Sequence, residues 1–213
     1  YPSEELSLEE QRRLTERRNA LRQEVMDHLV ESVLYRAIYS ERQFEQVIVE
    51  FWRNHFNVDH TKDDVRYLAN HYEEQVLRKH AFGKFEDLLL ATAQHPAMLI
   101  YLDNVVSQKP LSAAEQRLVA RYEGRARMPR SVQARARHRG LNENYARELM
   151  ELHTLGVDNH YTQHDVIDLS RALTGWTADW NERGRGDGQK RDYGFHFRRE
   201  VHDEDKKVVL GTR

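Results

Sequence analysis

Apolar residues recur at Leu14, Leu21, Val25, Leu29 and Val33, at steps of seven and four. That spacing lays one stripe along a long helix ending near Ser40. "SLEE" at 7–10 opens it as a capping box, with Ser7 as N-cap and Glu10 reaching back. "SERQ" at 40–43 reads as a second capping box, starting a helix through "FEQVIVEFWRNHF". Residues 63–79 predict a third, more polar helix, and "KFEDLLLATAQ" at 84–94 a fourth after Gly83. Pro96 restarts the chain as the helical "PAMLIYLDN", and "SAAE" at 112–115 caps a further short helix. A helix over 143–154 stops at Gly156, and Thr162 caps another that runs to about Leu173 and ends at Gly175 and Trp176.

The period of two belongs to the end of the chain. "YGFHFRREV" and "KKVVLG" alternate, which predicts a small terminal hairpin. Two segments carry neither period: the arginine-rich stretch near 120–140, expected to be an exposed or disordered loop, and "NERGRGDGQKRD", a second loop. The fold class is therefore mainly α, an irregular multi-helix bundle with a small β hairpin near the C-terminus. The expected organisation is a helical domain over 1–176, then a loop and hairpin over 177–213 that begin a truncated C-terminal part.

Composition narrows the function classes. Hydrophobic residues make up 39% of the 213, enough for a core, and the net charge of −2 hides a charged fraction of 32%. Near-neutrality argues against a general electrostatic grip on nucleic acid and against a polybasic membrane patch. No apolar run approaches the roughly 18–20 residues of a membrane-spanning helix. The absence of cysteine removes disulfides, thiolate metal sites and cysteine nucleophiles. The chain begins without Met and stops just after a strand-like run, so it reads as an excised piece, and missing targeting signals carry no weight.

The densest candidate chemistry is "NENYARELMELHTLG" at 142–156. At about 100° per residue, Tyr145, Leu149 and Leu152 form one apolar face, widened by Ala146 and His153. Asn144, Glu148 and Glu151 fall within roughly 60° of one another on a different face. A plain solvated face, with Arg147 and Glu151 as an i,i+4 pair, accounts for this. Leu155, however, shares the sector of Asn144, Glu148 and Glu151. A leucine finishing a polar stripe predicts a covered stripe, and a covered carboxylate needs a partner. Glu148 is thus expected to be buried and bonded to His55, Asn54 or Arg171 from another segment. Arg147 is expected to pair with Glu151 or Asp103.

Elsewhere, "FWRNHFNVDH" at 51–60 sets Asn54 and His55 among Phe51, Trp52 and Phe56, where a packed histidine is commoner than a ligand. "HPAMLIYLDN" ends in Asp103 and Asn104, read either as a polar helix end or as an acid at a pocket mouth. "HDEDKK" at 202–207 reads as a charged turn. Twelve histidines without cysteine suit a His/carboxylate site for a divalent metal such as Zn, Mn or Fe. No spacing is diagnostic of one, and the H-E-x-x-H zinc pattern is absent. The metal ligands stay unassigned.

Taken together, "FWRNHFNV", "HAFGKFEDLLLATAQHPAMLIYLDN", "NENYARELMELHTLGVDNHYTQHDVIDLSRALTGW" and "HDEDKKVVLG" resemble, in this order, the bacterial family called domain of unknown function 1800. The resemblance spans about residues 40–211. By position its pattern falls on Trp52, Asn54, His55, His95, Pro96, Asp103, Asn104, Asn144, Arg147, Glu148, Glu151, Thr154 and Gly156. It continues on Thr174, Gly175, Trp176, His202 and Asp203. It implies a longer parent, frequent export to the periplasm or beyond, and frequent encoding beside a sulfatase-like partner. It implies no established reaction.

Two expectations follow. The first is an exported hydrolase-type or metal-assisted enzyme, in which Glu148 or Glu151 works in acid/base chemistry with His55 and Arg147, and Asn54, Asp103, Asn104, Asn144, His202 and Asp203 bind. Packing needs alone would not select so many polar types. The second is a non-enzymatic helical scaffold or assembly partner of the co-encoded protein. In that case Arg147, Glu148 and Glu151 form an ion-pair network between helices and the tryptophans anchor packing.

Overall fold

Three of the four capping signals sit at helix starts. The backbone N–H of Glu10 donates to Ser7 Oγ at 3.3 Å, and Ser7 N–H donates to the Glu10 carboxylate at 2.8 Å. Ser112 with Glu115, and Thr162 with Asp165, repeat the exchange. Each satisfies helix donors that have no intrahelical partner. The fourth differs: the second helix begins at Gln43 with no side-chain cap, because Ser40 Oγ accepts from Arg42 N–H and Gln46 Nε2 instead.

The computed structural model describes residues 7–62, 64–123, 128–136, 140–157, 159–178 and 194–212, with backbone only for residues 18, 22 and 134–136. Its helices are α1 (Leu8–Tyr39), α2 (Gln43–His55), α3 (Val65–Tyr72), α4 (Phe85–Gln94), α5 (Pro96–Tyr101), α6 (Ala113–Tyr122), α7 (Arg130–Ala136), α8 (Asn144–Glu148) and α9 (Gln163–Leu173). Two of them run on as π-helical segments, α3 through Glu73–Arg78 and α8 through Leu149–Thr154. The strands β1 (Trp176–Ala178) and β2 (Phe195–Phe197) pair antiparallel, with Thr177 opposite His196. The mainly helical class with a small two-stranded sheet is as the patterning predicts.

Two local expectations are corrected. The predicted hairpin would join "YGFHFRREV" to "KKVVLG". Instead, 195–197 pairs back to 176–178, and Val209 bridges Thr212 alone. The backbone N–H groups of Val208 and Leu210 donate to the carboxylates of Asp168 and Asp165 instead, so the last run forms no ladder with 195–197. The arginine-rich stretch also contains a helix, α7, anchored by the buried Val132; residues 124–127 and 137–139 of that stretch, and the predicted loop at 181–192, lie outside the described residues.

The chain clusters into two compact units, residues 1–88 and 89–213. In the first, α1 packs on α2 and α3. Its core holds Val49, Phe56, Val65, Leu68, Tyr72, Val76 and Leu77. Tyr72 satisfies its buried hydroxyl by donating to the Phe56 carbonyl at 3.0 Å. In the second, α5 is buried along Pro96–Ile100, with Tyr145, Met150, Val166 and Leu173 also in the core. His95 starts α5 as its N-cap, Nδ1 accepting from Ala97 N–H at 3.1 Å, and Pro96 follows where no N–H is needed.

Candidate functional site

Asn54 and His55 belong to the first unit and the other candidate residues to the second. The His55 ring stacks on Phe51, stands edge-on to Phe56 with ring centres 4.6 Å apart, and touches Trp52 and Phe85. Asn54 is exposed and donates to the Glu50 carbonyl and carboxylate on its own helix. Trp52 closes the cluster, its indole N–H donating to the Ala81 carbonyl at 3.0 Å.

In the second unit the polar motif residues converge on the turn after α9. Asp103 takes a left-handed conformation, φ 58°, which ends α5 and turns Asn104 inward. Asn104 is buried, and its Nδ2 donates to the carbonyls of Leu173 at 3.1 Å and Trp176 at 2.9 Å. Its Oδ1 is the one buried side-chain atom without a partner among the described residues. Asn142 joins the same hub: Nδ2 donates to the Asp103 carbonyl, and its backbone N–H to Ser107 Oγ. Gly175 N–H donates to the Ser107 carbonyl, so three separated segments meet around this turn.

On the other side of that turn lies a charge clamp. Arg171 donates to both Asp203 oxygens, at 2.8 and 3.2 Å, and to Asp168 at 2.6 Å. Asp168 also accepts from Val208 N–H at 2.7 Å, and Lys207 Nζ donates to the Asp203 carbonyl. Thr174 Oγ1 accepts from Asp203 N–H at 2.8 Å, and His202 Nδ1 lies 2.7 Å from the Thr174 carbonyl. The Val208 amide, more than Arg171, holds the Asp168 carboxyl below the usual range against the opposing effect of burial. At Asp203 burial pushes the pKa up, but the Arg171 hydrogen bonds, the Asp205 amide and nearby cations leave it lowered. Arg171 is raised, chiefly by Asp203. His202 and Asp203 are thus bonded into the frame of the second unit.

The helix that carried the densest motif behaves differently from its prediction. Tyr145, Ala146 and His153 are buried as expected, but Met150 is buried as well and Leu152 is exposed. The cause is the π-helical segment, where bonds such as Leu155 N–H to Met150 O span five residues instead of four. The wider turn rotates everything after Glu148 relative to an α-helix. Leu155 therefore leaves the sector of Glu148, and both residues are half-buried. Glu148 is half-buried with no hydrogen-bond or ionic partner among the described residues, contrary to the expected bond. Arg147 and Glu151 do pair, at 3.3 Å. Around them Tyr161 donates to Glu151 at 2.9 Å, and Arg147 reaches Gln163 at 2.8 Å and Glu143 at 3.5 Å. Asn144 is exposed, its N–H donating to Asn142 Oδ1.

A buried carboxylate also lies where no motif pointed. Glu73, in the first unit, is bonded by Arg53 at 2.8 Å and Arg78 at 2.8 Å, and Arg36 lies 3.5 Å away. Beside it a cavity of about 280 Å³ opens between α1 and the 56–77 region, walled by Val33, Phe56, Tyr72 and Leu77. None of the candidate residues lines it. Only the unusual polarity of the 63–79 helix hinted at Glu73. Asp168 was also missed, although its i,i+3 spacing from Arg171 could have pointed to it. No group of three His, Asp or Glu side chains placed to hold a metal occurs among the described residues. No described helix is long and apolar enough to cross a membrane.

Fold and site together define a mainly helical protein braced by polar clamps at a turn and inside a helix layer. The family model described as "Protein of unknown function (DUF1800)" matches residues 2–213, and the chain belongs to that family. No curated protein and no solved structure matches it.

Proposed function

We propose that the protein is a helical assembly module that docks the sulfatase-like protein encoded beside members of this family. The carrying observation is an aromatic face on the first unit. Phe44, Val47 and Phe51 point to one side of α2 and stay exposed. Phe82 extends that face by contacting Phe44, and the partly exposed Phe85 adjoins Trp52. Clustered exposed aromatics of this kind mark contact surfaces. Three polar residues of the family pattern support the same reading, since Asn104, His202 and Asp203 are taken up by internal bonds. Buried networks of that sort fix the register of a fold. The test is co-purification with the sulfatase-like neighbour. Phe51→Asp with Phe82→Asp abolishes capture while leaving the helical circular-dichroism melt unchanged; undiminished capture by that variant overturns the proposal.

One observation favours an enzymatic reading. Glu148 is a half-buried carboxylate without a partner among the described residues, beside the Arg147–Glu151–Tyr161 cluster. A free carboxylate next to a bonded one is the arrangement that separates acid and base roles. On this reading Glu148→Gln removes turnover of a hydrolysable substrate at unchanged stability, and retained turnover excludes Glu148 as its acid or base.

A further inference from the structure

The stripe along α1 has a covered half and an uncovered half. Val25, Leu29 and Val33 are half-buried against the first unit. From Leu8 to Glu24 every described side chain is exposed, with Leu14 at 54% and Leu21 at 52%. Leu14, Leu21 and Val25 nevertheless share one sector of about 40° at helical spacing. A helix of 32 residues, about 48 Å long, thus extends its apolar line well past what covers it among the described residues.

Charge along α1 is segregated in the same direction. Arg12, Arg13 and Arg17 are followed by further arginines to residue 22, with Glu16 the one acid between 12 and 22. Glu24, Asp27 and Glu31 then follow, with no lysine or arginine from 23 to 35. Within the described residues Glu24, Asp27 and Glu31 have no cationic partner, and Arg12 and Arg17 no anionic one. A helix that is positive in one stretch and negative in the next is complementary to itself only when reversed.

We infer that α1 pairs with α1 of a second copy, antiparallel, with the two-fold axis near Leu21. This register lays residues 12–17 of one copy along residues 25–30 of the other. Leu21 then meets its own counterpart, and Leu14 lands within a turn of the second copy's Val25. The arginine stretch faces Glu24, Asp27 and Glu31, whereas parallel pairing would stack like charges. Such a contact is isologous, uses one patch on both copies, and closes as a dimer. It stands whether the chain is an enzyme or a docking module.

The full 213-residue chain, by sedimentation equilibrium at moderate salt, should show a mass near twice 25.4 kDa. Leu21→Asp should weaken association by about tenfold or more, on the scale of one buried leucine replaced by a charge. A variant carrying Arg12→Glu, Arg13→Glu and Arg17→Glu should be monomeric. So should one carrying Glu24→Lys, Asp27→Lys and Glu31→Lys, while an equimolar mixture of the two dimerises. Because the chain has no cysteine, orientation can be read by single thiols. Leu21→Cys should oxidise to a dimer with itself, and Gln11→Cys should cross-link with Glu31→Cys. A wild-type monomer at all concentrations overturns the inference, and so does efficient self-linking of Gln11→Cys and of Glu31→Cys separately.

Discussion

Glu73 and Glu148 stand at matching places in their helices and in opposite surroundings. Glu73 opens the π-helical segment of the first unit, and Glu148 immediately precedes that of the second. Glu73 is buried beneath Arg36, Arg53 and Arg78, contributed by three elements. Glu148 is half-buried and bonded to none of the described residues. The difference shows what a buried charge requires. A carboxylate is drawn into a core only where cations arrive with it; at Glu73, Arg36 and Arg53 come from other helices and Arg78 from its own π-helical segment. Where no such cations come, as at Glu148, the carboxylate stays only half-buried and within reach of water.

The contrast can be broken by substitution. Glu73→Ala leaves guanidinium groups facing one another without their counter-charge and should cost about 3–5 kcal/mol. A urea-denaturation midpoint measures this, and a loss below about 1 kcal/mol would place Glu73 with the surface pairs. Asp203→Asn removes the charge that Arg171 grips from two sides and should cost roughly 2–3 kcal/mol. It should also change the acid response. Asp168 and Asp203 have lowered folded pKa values. They therefore contribute stability above the unfolded carboxylate value of about 4, which is lost as pH falls through the lower folded values. Thermal melts between pH 2 and 6 should show a shallower acid limb for Asp203→Asn than for the parent chain.

Smaller effects sharpen the same comparison. Gly175 has φ 80°, and a Cβ there would lie 2.6 Å from the Arg198 carbonyl oxygen. Gly175→Ala should therefore cost about 1–3 kcal/mol and loosen the β1–β2 pairing, seen as faster amide exchange at Arg198. Last come Glu151→Gln and Glu148→Gln. The first breaks a partly exposed pair and should cost under about 1 kcal/mol. The second should leave the denaturation midpoint unchanged, and a large loss would reveal a partner for Glu148.

Helix existence was legible because its signals are local. Ser7 with Glu10, Ser112 with Glu115 and Thr162 with Asp165 each announce a start within four residues, and the structure forms all three exchanges. Gly175 was legible as a stop for the same reason. Phase was not legible after Glu148. A period of 3.6 places Leu149, Leu152 and His153 on the inner face; His153 is buried as that predicts, but Met150 is buried and Leu152 exposed. Strand pairing was illegible where the partner lies at a distance: Trp176–Ala178 is too short to show a period of two. Arg147 with Glu151 could be read from i,i+4 spacing, but the three cations on Glu73 come from positions 36, 53 and 78, which no spacing rule connects.

The hub at Asn104 also dictates an order of events. Its two hydrogen bonds reach 69 and 72 residues ahead along the chain, and the Thr177 contact with Val105 spans 72. The bonds that Arg78 and Arg53 make to Glu73 span 5 and 20. Contacts between near neighbours close small loops and form early, whereas distant ones carry the entropy of a large loop before any bond repays it. A ribosome has therefore delivered most of the second unit before Asn104 can meet Trp176. Until then α5, apolar along its whole length, has no finished cover, and the slow closing of this turn sets how long that surface is open to other chains.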